Sequence, residues 1–121
     1  MSTLTLTTRE HPNGLVIIVS GEIDLGSRPA LEEATRVTPP AGAPLFLDMS
    51  EVTFMDSSGL NLLLMLHRRL TSAGSSLHLT GIQGEPMRVL TLTGADTILL
   101  PTGRAAQIPA PGSTTQERRN P

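Results

Sequence analysis

A chain of 121 residues is the length of one domain. Its nine cations, all arginine, face eleven acidic groups for a net charge of −2; with only two aromatic residues, this disfavours nucleic-acid binding by counterion release. Cysteine is absent, which excludes disulfides, thiol nucleophiles and thiolate-held zinc or iron–sulfur centres.

Taken in chain order, Met1-Ser2-Thr3-Leu4-Thr5 lacks a charged segment followed by an apolar one, so no secretory signal is expected. Leu4 to Arg9 alternates apolar and polar, the period of a half-buried strand. His11-Pro12-Asn13-Gly14 is a turn, with Asn13-Gly14 offering the positive-φ positions of a hairpin. Leu15 to Val19 is an unbroken apolar run, expected to be a strand covered on both faces and ended by Gly21. A connection through Gly26 leads to a helix beginning at Ser27-Arg28-Pro29 and running to about Val37, with Ser27 as its cap and Glu32 and Glu33 matched to the helix dipole. Pro39 to Gly42 interrupts it. Pro44 to Asp48 is a short strand, and Met49 to Met55 a loop or strand edge carrying apolar groups to the core.

Asp56-Ser57-Ser58-Gly59 then opens a leucine-rich helix from Leu60 to about Ser72. Leu60, Leu63, Leu64, His67 and Leu70 share one stripe of it. Gly74 is suited to the left-handed residue that closes a helix. Leu77 to Thr80 is a strand, Pro86 to Thr93 a helix stopped by Gly94, and Ile98-Leu99-Leu100 a final strand. From Pro109 the composition turns to Pro, Ser, Thr, Gln and Arg, giving a domain over 1–108 and a disordered tail over 109–121. The longest apolar run, Leu62 to Leu66, is far short of the ~20 residues that span a bilayer, so a soluble cytoplasmic domain is expected. Alternating strands and helices with short connections predict an α/β fold, a single sheet of mixed, mostly parallel strands.

The chemistry concentrates at Asp56-Ser57-Ser58-Gly59. The first N–H groups of a helix lack intrahelical partners and carry partial positive charge, so a hydroxyl there can cap the helix and a phosphate on it would find donors. Gly59 permits close backbone approach. Taken alone, the tetrapeptide is read more readily as a helix cap than as a site.

In its wider setting, Phe54-Met55-Asp56-Ser57-Ser58-Gly59-Leu60 resembles the signature of the STAS-domain family of anti-sigma factor antagonists. The resemblance extends to Val19-Ser20-Gly21-Glu22-Ile23-Asp24, similar to that family's strand end, and to Val89 to Gly94, similar to its third helix. It implies a STAS-type sheet and a non-catalytic module that needs no cofactor and no metal. Its partners would be an anti-sigma factor serine kinase, which modifies it, and a serine phosphatase, which resets it. The resemblance maps the phosphoacceptor onto Ser57, with Ser58 as secondary candidate. It places the partner contact on Asp24, Met55, Asp56, Ser57, Ser58, Gly59, Leu60 and Asn61. Asn61 stands where the family has glycine, on the first helical turn, and bears on which kinase fits. The family's closing helix is reduced here to Gly103 to Gln107, barely one turn. The alternative is a STAS-fold adaptor in a transport or signalling scaffold that uses the same loop without phosphorylation. The oligomeric state is left open.

The remaining polar residues support no second chemistry. Ser57, Asp56 and His67 include triad residue types, but ten residues of helix at ~1.5 Å each hold His67 about 15 Å from Ser57. The chain has no G-x-S-x-G elbow, no Walker motif and no dinucleotide glycine pattern. His11 and His78 have no second ligand at metal spacing, His67 reads as a structural residue at the core edge, and Arg68-Arg69 as a solvated helix face. Leu62, Met65 and Leu66 are core or part of an exposed patch.

Overall fold

The structure is a computed structural model, describing residues 4–36, 39 and 42–100. Strands β1 (Thr5–His11) and β2 (Gly14–Ile23) form an antiparallel hairpin, followed by helix α1 (Arg28–Ala34) and strand β3 (Pro44–Met55). Helix α2 (Ser57–Ser72), strand β4 (Ser76–Thr80) and helices α3 (Gly84–Thr93) and α4 (Asp96–Leu99) complete it. The sheet has four strands in the order β1-β2-β3-β4, with β2–β3 and β3–β4 parallel. It is the mixed, mostly parallel sheet that the alternation of elements predicts.

Side chains alternate across a strand, and register then sorts them into rows. Leu15, Leu45 and Leu77 form one row and Ile17, Leu47 and Leu79 the next, all buried. Leu31, Leu63, Leu70, Leu90 and Leu99 from the helices join them in one cluster. Val16 and Phe46 are buried on the opposite face, where the Phe46 ring stacks on His78 at 5.4 Å.

Several expectations need correction. The hairpin loop is Pro12-Asn13, because His11 already pairs with Gly14; a Cβ on Gly14 would fall 2.3 Å from the Pro44 carbonyl. β2 does not stop at Gly21, and Met49 to Met55 is strand rather than loop. Two irregularities in the β2–β3 register, at Ile18/Ser20 and Gly21/Glu22, each set an extra β3 residue against β2. Met49, Val52 and Met55 are therefore buried at intervals of three, a spacing that hides the strand from a period-two reading. Ile98 to Leu100 is not a strand: Ala95 and Leu99 are buried four residues apart, and the Leu99 N–H donates to the Ala95 carbonyl at 2.8 Å.

α1 ends at Ala34, so Glu32 and Glu33 lie in its second half, not at its positive end. They pair instead with Arg28 at 3.5 Å and Arg36 at 3.1 Å. Arg69 is no idle surface charge, since its guanidinium donates to the Thr35 carbonyl and ties α2 to the end of α1. The closing turn at 103–107 and the tail at 109–121 lie outside the described residues.

Candidate functional site

Parallel strands end on the same side of a sheet, and the loops that follow them meet there. Ile23 and Met55 are partners at the ends of β2 and β3, so the β2–α1 and β3–α2 connections emerge side by side. The Asp56 N–H extends this contact by donating to the Ile23 carbonyl at 3.1 Å. Gly59 lets α2 come down onto the strand ends. A Cβ there would sit 2.6 Å from Ile23 Cγ2 and 2.7 Å from Met55 Cγ, so its role is close approach inside the molecule.

Asp56, in extended conformation, is the N-cap of α2. Its Oδ1 accepts from the Ser58 N–H at 3.0 Å, the Gly59 N–H at 3.2 Å and the Ser58 hydroxyl at 2.6 Å. Burial pushes this carboxyl up, but hydrogen bonds from the Ser58 hydroxyl and the Gly59, Ser58 and Leu25 N–H groups outweigh it. The net result is a carboxylate held below its ordinary range.

The β2–α1 loop has its own lock. Ser27 N–H donates to Asp24 Oδ1 at 2.9 Å, Asp24 N–H to Ser27 Oγ at 2.9 Å, and the Ser27 hydroxyl to the Glu22 carbonyl at 2.7 Å. Ser27 thus stands at the start of α1 but braces the preceding loop, making no side-chain cap bond to the helix. With 1% exposure its hydroxyl is a structural brace.

The serines of the motif differ sharply. Ser58 is half-buried with its hydroxyl committed to Asp56, whereas Ser57 is exposed and its hydroxyl bonds to no described residue. Two of the helix donors expected for a phosphate, the Ser58 and Gly59 N–H groups, already serve Asp56, while the Ser57 N–H bonds to no described residue. Segments 22–27 and 54–61 carry Glu22, Asp24 and Asp56 and no cation.

Of the expected contact residues, Met55, Gly59 and Leu60 are buried and offer a partner no open side chain. Ser57 and Asn61 are exposed, and Asp24, Asp56 and Ser58 half-buried. Two apolar residues at this end stand outside the expected contact set: Leu25, 72% exposed, and Phe54, the register partner of Glu22. An apolar residue between Asp24 and Gly26, outside any periodic stripe, was the available signal for Leu25. Along α2, Leu62 and Leu66 are buried while Met65 is exposed, and His67 Nδ1 is buried with no hydrogen-bond partner. Among the described residues, no three or more His, Asp or Glu side chains group as metal ligands would, and no helix is long and apolar enough to cross a membrane.

Comparison with known proteins agrees with the fold. The family model described as "Mlab, STAS domain" matches residues 6–101. The anti-sigma-B factor antagonist of Bacillus subtilis is 27% identical over 96 residues, 79% of this chain and 88% of that protein. That of Listeria monocytogenes is 34% identical over 84 residues, 69% and 74% of the two chains. The crystal structure of an anti-sigma factor antagonist from Mycobacterium paratuberculosis superposes with a TM-score of 0.68 at 31% identity, covering 80% of this chain and 83% of that one. The unphosphorylated form of the anti-sigma factor antagonist SpoIIAA shares the fold, with a TM-score of 0.53 at 21% identity over 82% and 99% of the chains. The chain belongs to the STAS-domain family of anti-sigma factor antagonists.

Proposed function

We propose that this protein is an anti-sigma factor antagonist that binds an anti-sigma serine kinase and is switched by phosphorylation of Ser57. The observation that carries the reading is the contrast between the two serines, one hydroxyl open to solvent and its neighbour locked on Asp56. The names of the relatives support the regulatory role. In the transfer, Ser57 Oγ attacks the γ-phosphorus of ATP, the bond to the β-phosphate oxygen breaks and ADP leaves. The hydroxyl proton passes to a base on the kinase.

Phosphorylation adds about −1.5 to −2 charges. Here they meet Glu22, Asp24 and an ionised Asp56, with the Ser58 and Gly59 N–H groups already engaged by that carboxylate. The dianion therefore stays at the surface and repels or desolvates at any face packed over the loop. A coupling of about 3 kcal/mol would lower affinity about a hundredfold, enough for a switch without refolding. The released kinase then holds its sigma factor, and a serine phosphatase restores the unmodified form.

The test is to incubate the protein and ATP with purified anti-sigma kinases and locate the phosphate by mass spectrometry. Modification confined to Ser57 that abolishes co-elution with the kinase is expected, and a protein left unmodified would refute the reading. The family model's description keeps an adaptor reading in view, in which the same surface binds without phosphorylation. That reading requires Ser57→Asp and Ser57→Ala to bind the partner equally well.

A further inference from the structure

We propose that Leu25 is the apolar anchor by which the kinase grips this protein, its side chain entering a basic-rimmed apolar pocket on that enzyme. The inference rests on Ser57 being the phosphoacceptor, and goes beyond it by naming what holds the enzyme there.

Position is the first argument. Ile23 and Met55 are register partners and the Asp56 N–H donates to the Ile23 carbonyl at 3.1 Å, with Leu25 two residues after Ile23 and Ser57 directly after Asp56. That bond and three steps of chain put Leu25 and Ser57 within about 16 Å of each other. A stable interface covers about 800 Å² on each partner, a disc of roughly 16 Å radius. An enzyme seated on the Ser57 hydroxyl therefore covers Leu25.

Rigidity is the second. Leu25 is 72% exposed, yet its loop is fastened on both sides. Asp24 and Ser27 exchange hydrogen bonds at 2.9 Å, Ser27 holds Glu22, and the Arg28 N–H donates to the Asp24 carbonyl at 2.9 Å. An apolar side chain on a fixed loop loses little conformational freedom when a partner covers it, so most of its burial appears as affinity. Folding gains nothing from leaving it in water. The flanking charge supplies the third argument: Glu22 and Asp24 precede the leucine on its own loop and Asp56 begins the neighbouring helix, and these carboxylates complement arginine or lysine at a pocket's rim.

The experiment uses the full chain and whichever purified anti-sigma kinase modifies Ser57. Leu25→Ala should weaken binding and raise the KM for phosphorylation about tenfold, with kcat unchanged because Leu25 touches no reacting atom. Leu25→Asp should weaken binding further, and neither change should lower the melting temperature. Leu92→Ala is the control, since Leu92 on α3 is 74% exposed and belongs to no part of this loop pair. An unchanged KM for Leu25→Ala, or an equal rise for Leu92→Ala, overturns the anchor while leaving Ser57 as the acceptor. A wild-type chain that takes no phosphate at Ser57 overturns both.

Discussion

The Ser58 hydroxyl donates to Asp56 Oδ1 at 2.6 Å, and that bond separates the two serines of the motif into a structural one and an open one. A hydroxyl turned into its own helix cap must break a charge-assisted bond before a kinase can use it. In Ser57→Ala, Ser58 is therefore expected to stay unmodified under conditions that fully phosphorylate the wild type. Site-resolved mass spectrometry checks this, and stoichiometric phosphate on Ser58 would refute it.

Asp56 itself can be weighed. Asp56→Ala removes the acceptor for the Ser58 and Gly59 N–H groups and should cost about 1 kcal/mol of stability, read from chemical denaturation. It also frees the Ser58 hydroxyl, so phosphate should appear at Ser58 in this variant.

The same carboxylate sets a pH dependence. Its folded-state value lies below the ordinary 3.8, so its contribution is complete above that pH and is lost as pH falls through the lower, folded value. The stability advantage of wild type over Asp56→Asn should be constant near neutrality and shrink in acid below about pH 4. An advantage that instead grew on acidification would contradict the hydrogen-bonded carboxylate.

The close approach of α2 to the sheet predicts a strict requirement at Gly59. An alanine Cβ would press on Ile23 and Met55, at 2.6 and 2.7 Å, in a packed core. The gain in helix propensity, up to about 1 kcal/mol, offsets only part of an overpacking cost of about 1–3 kcal/mol. Gly59→Ala should therefore lower the denaturation midpoint.

Ser27 offers a way to loosen the loop without touching its surface. Ser27→Ala leaves the Asp24 N–H and the Glu22 carbonyl without their partner, which should cost about 1–3 kcal/mol. If loop rigidity holds Leu25 in place, kinase affinity should fall as well, although residue 27 is buried from any partner.

Elements with a plain period were legible from sequence, and those with a disturbed one were not. The β1–β2 hairpin, α2 and β4 follow from alternation and from the leucine stripe, and Gly74 and Gly94 take the left-handed conformations expected at the ends of α2 and α3. The second half of β3 was obscured because its two register irregularities replace alternation by buried residues at every third position. Ile98 to Leu100 misled because three apolar residues in a row fit either period, and the informative pair was Ala95 with Leu99. At the site, the motif marked Asp56 to Gly59 as a helix start. Which serine is open depends on where one hydroxyl turns. The nearness of Leu25 depends on β2 and β3 ending together, a long-range fact that no local pattern carries.

The proposed switch makes a phosphate on Ser57 decide whether the kinase binds. Isothermal titration of the kinase with unmodified protein and with protein fully phosphorylated at Ser57 tests it most directly. The phosphorylated form is expected to bind about a hundredfold more weakly, with an unchanged melting temperature. Equal affinities for the two forms would contradict it.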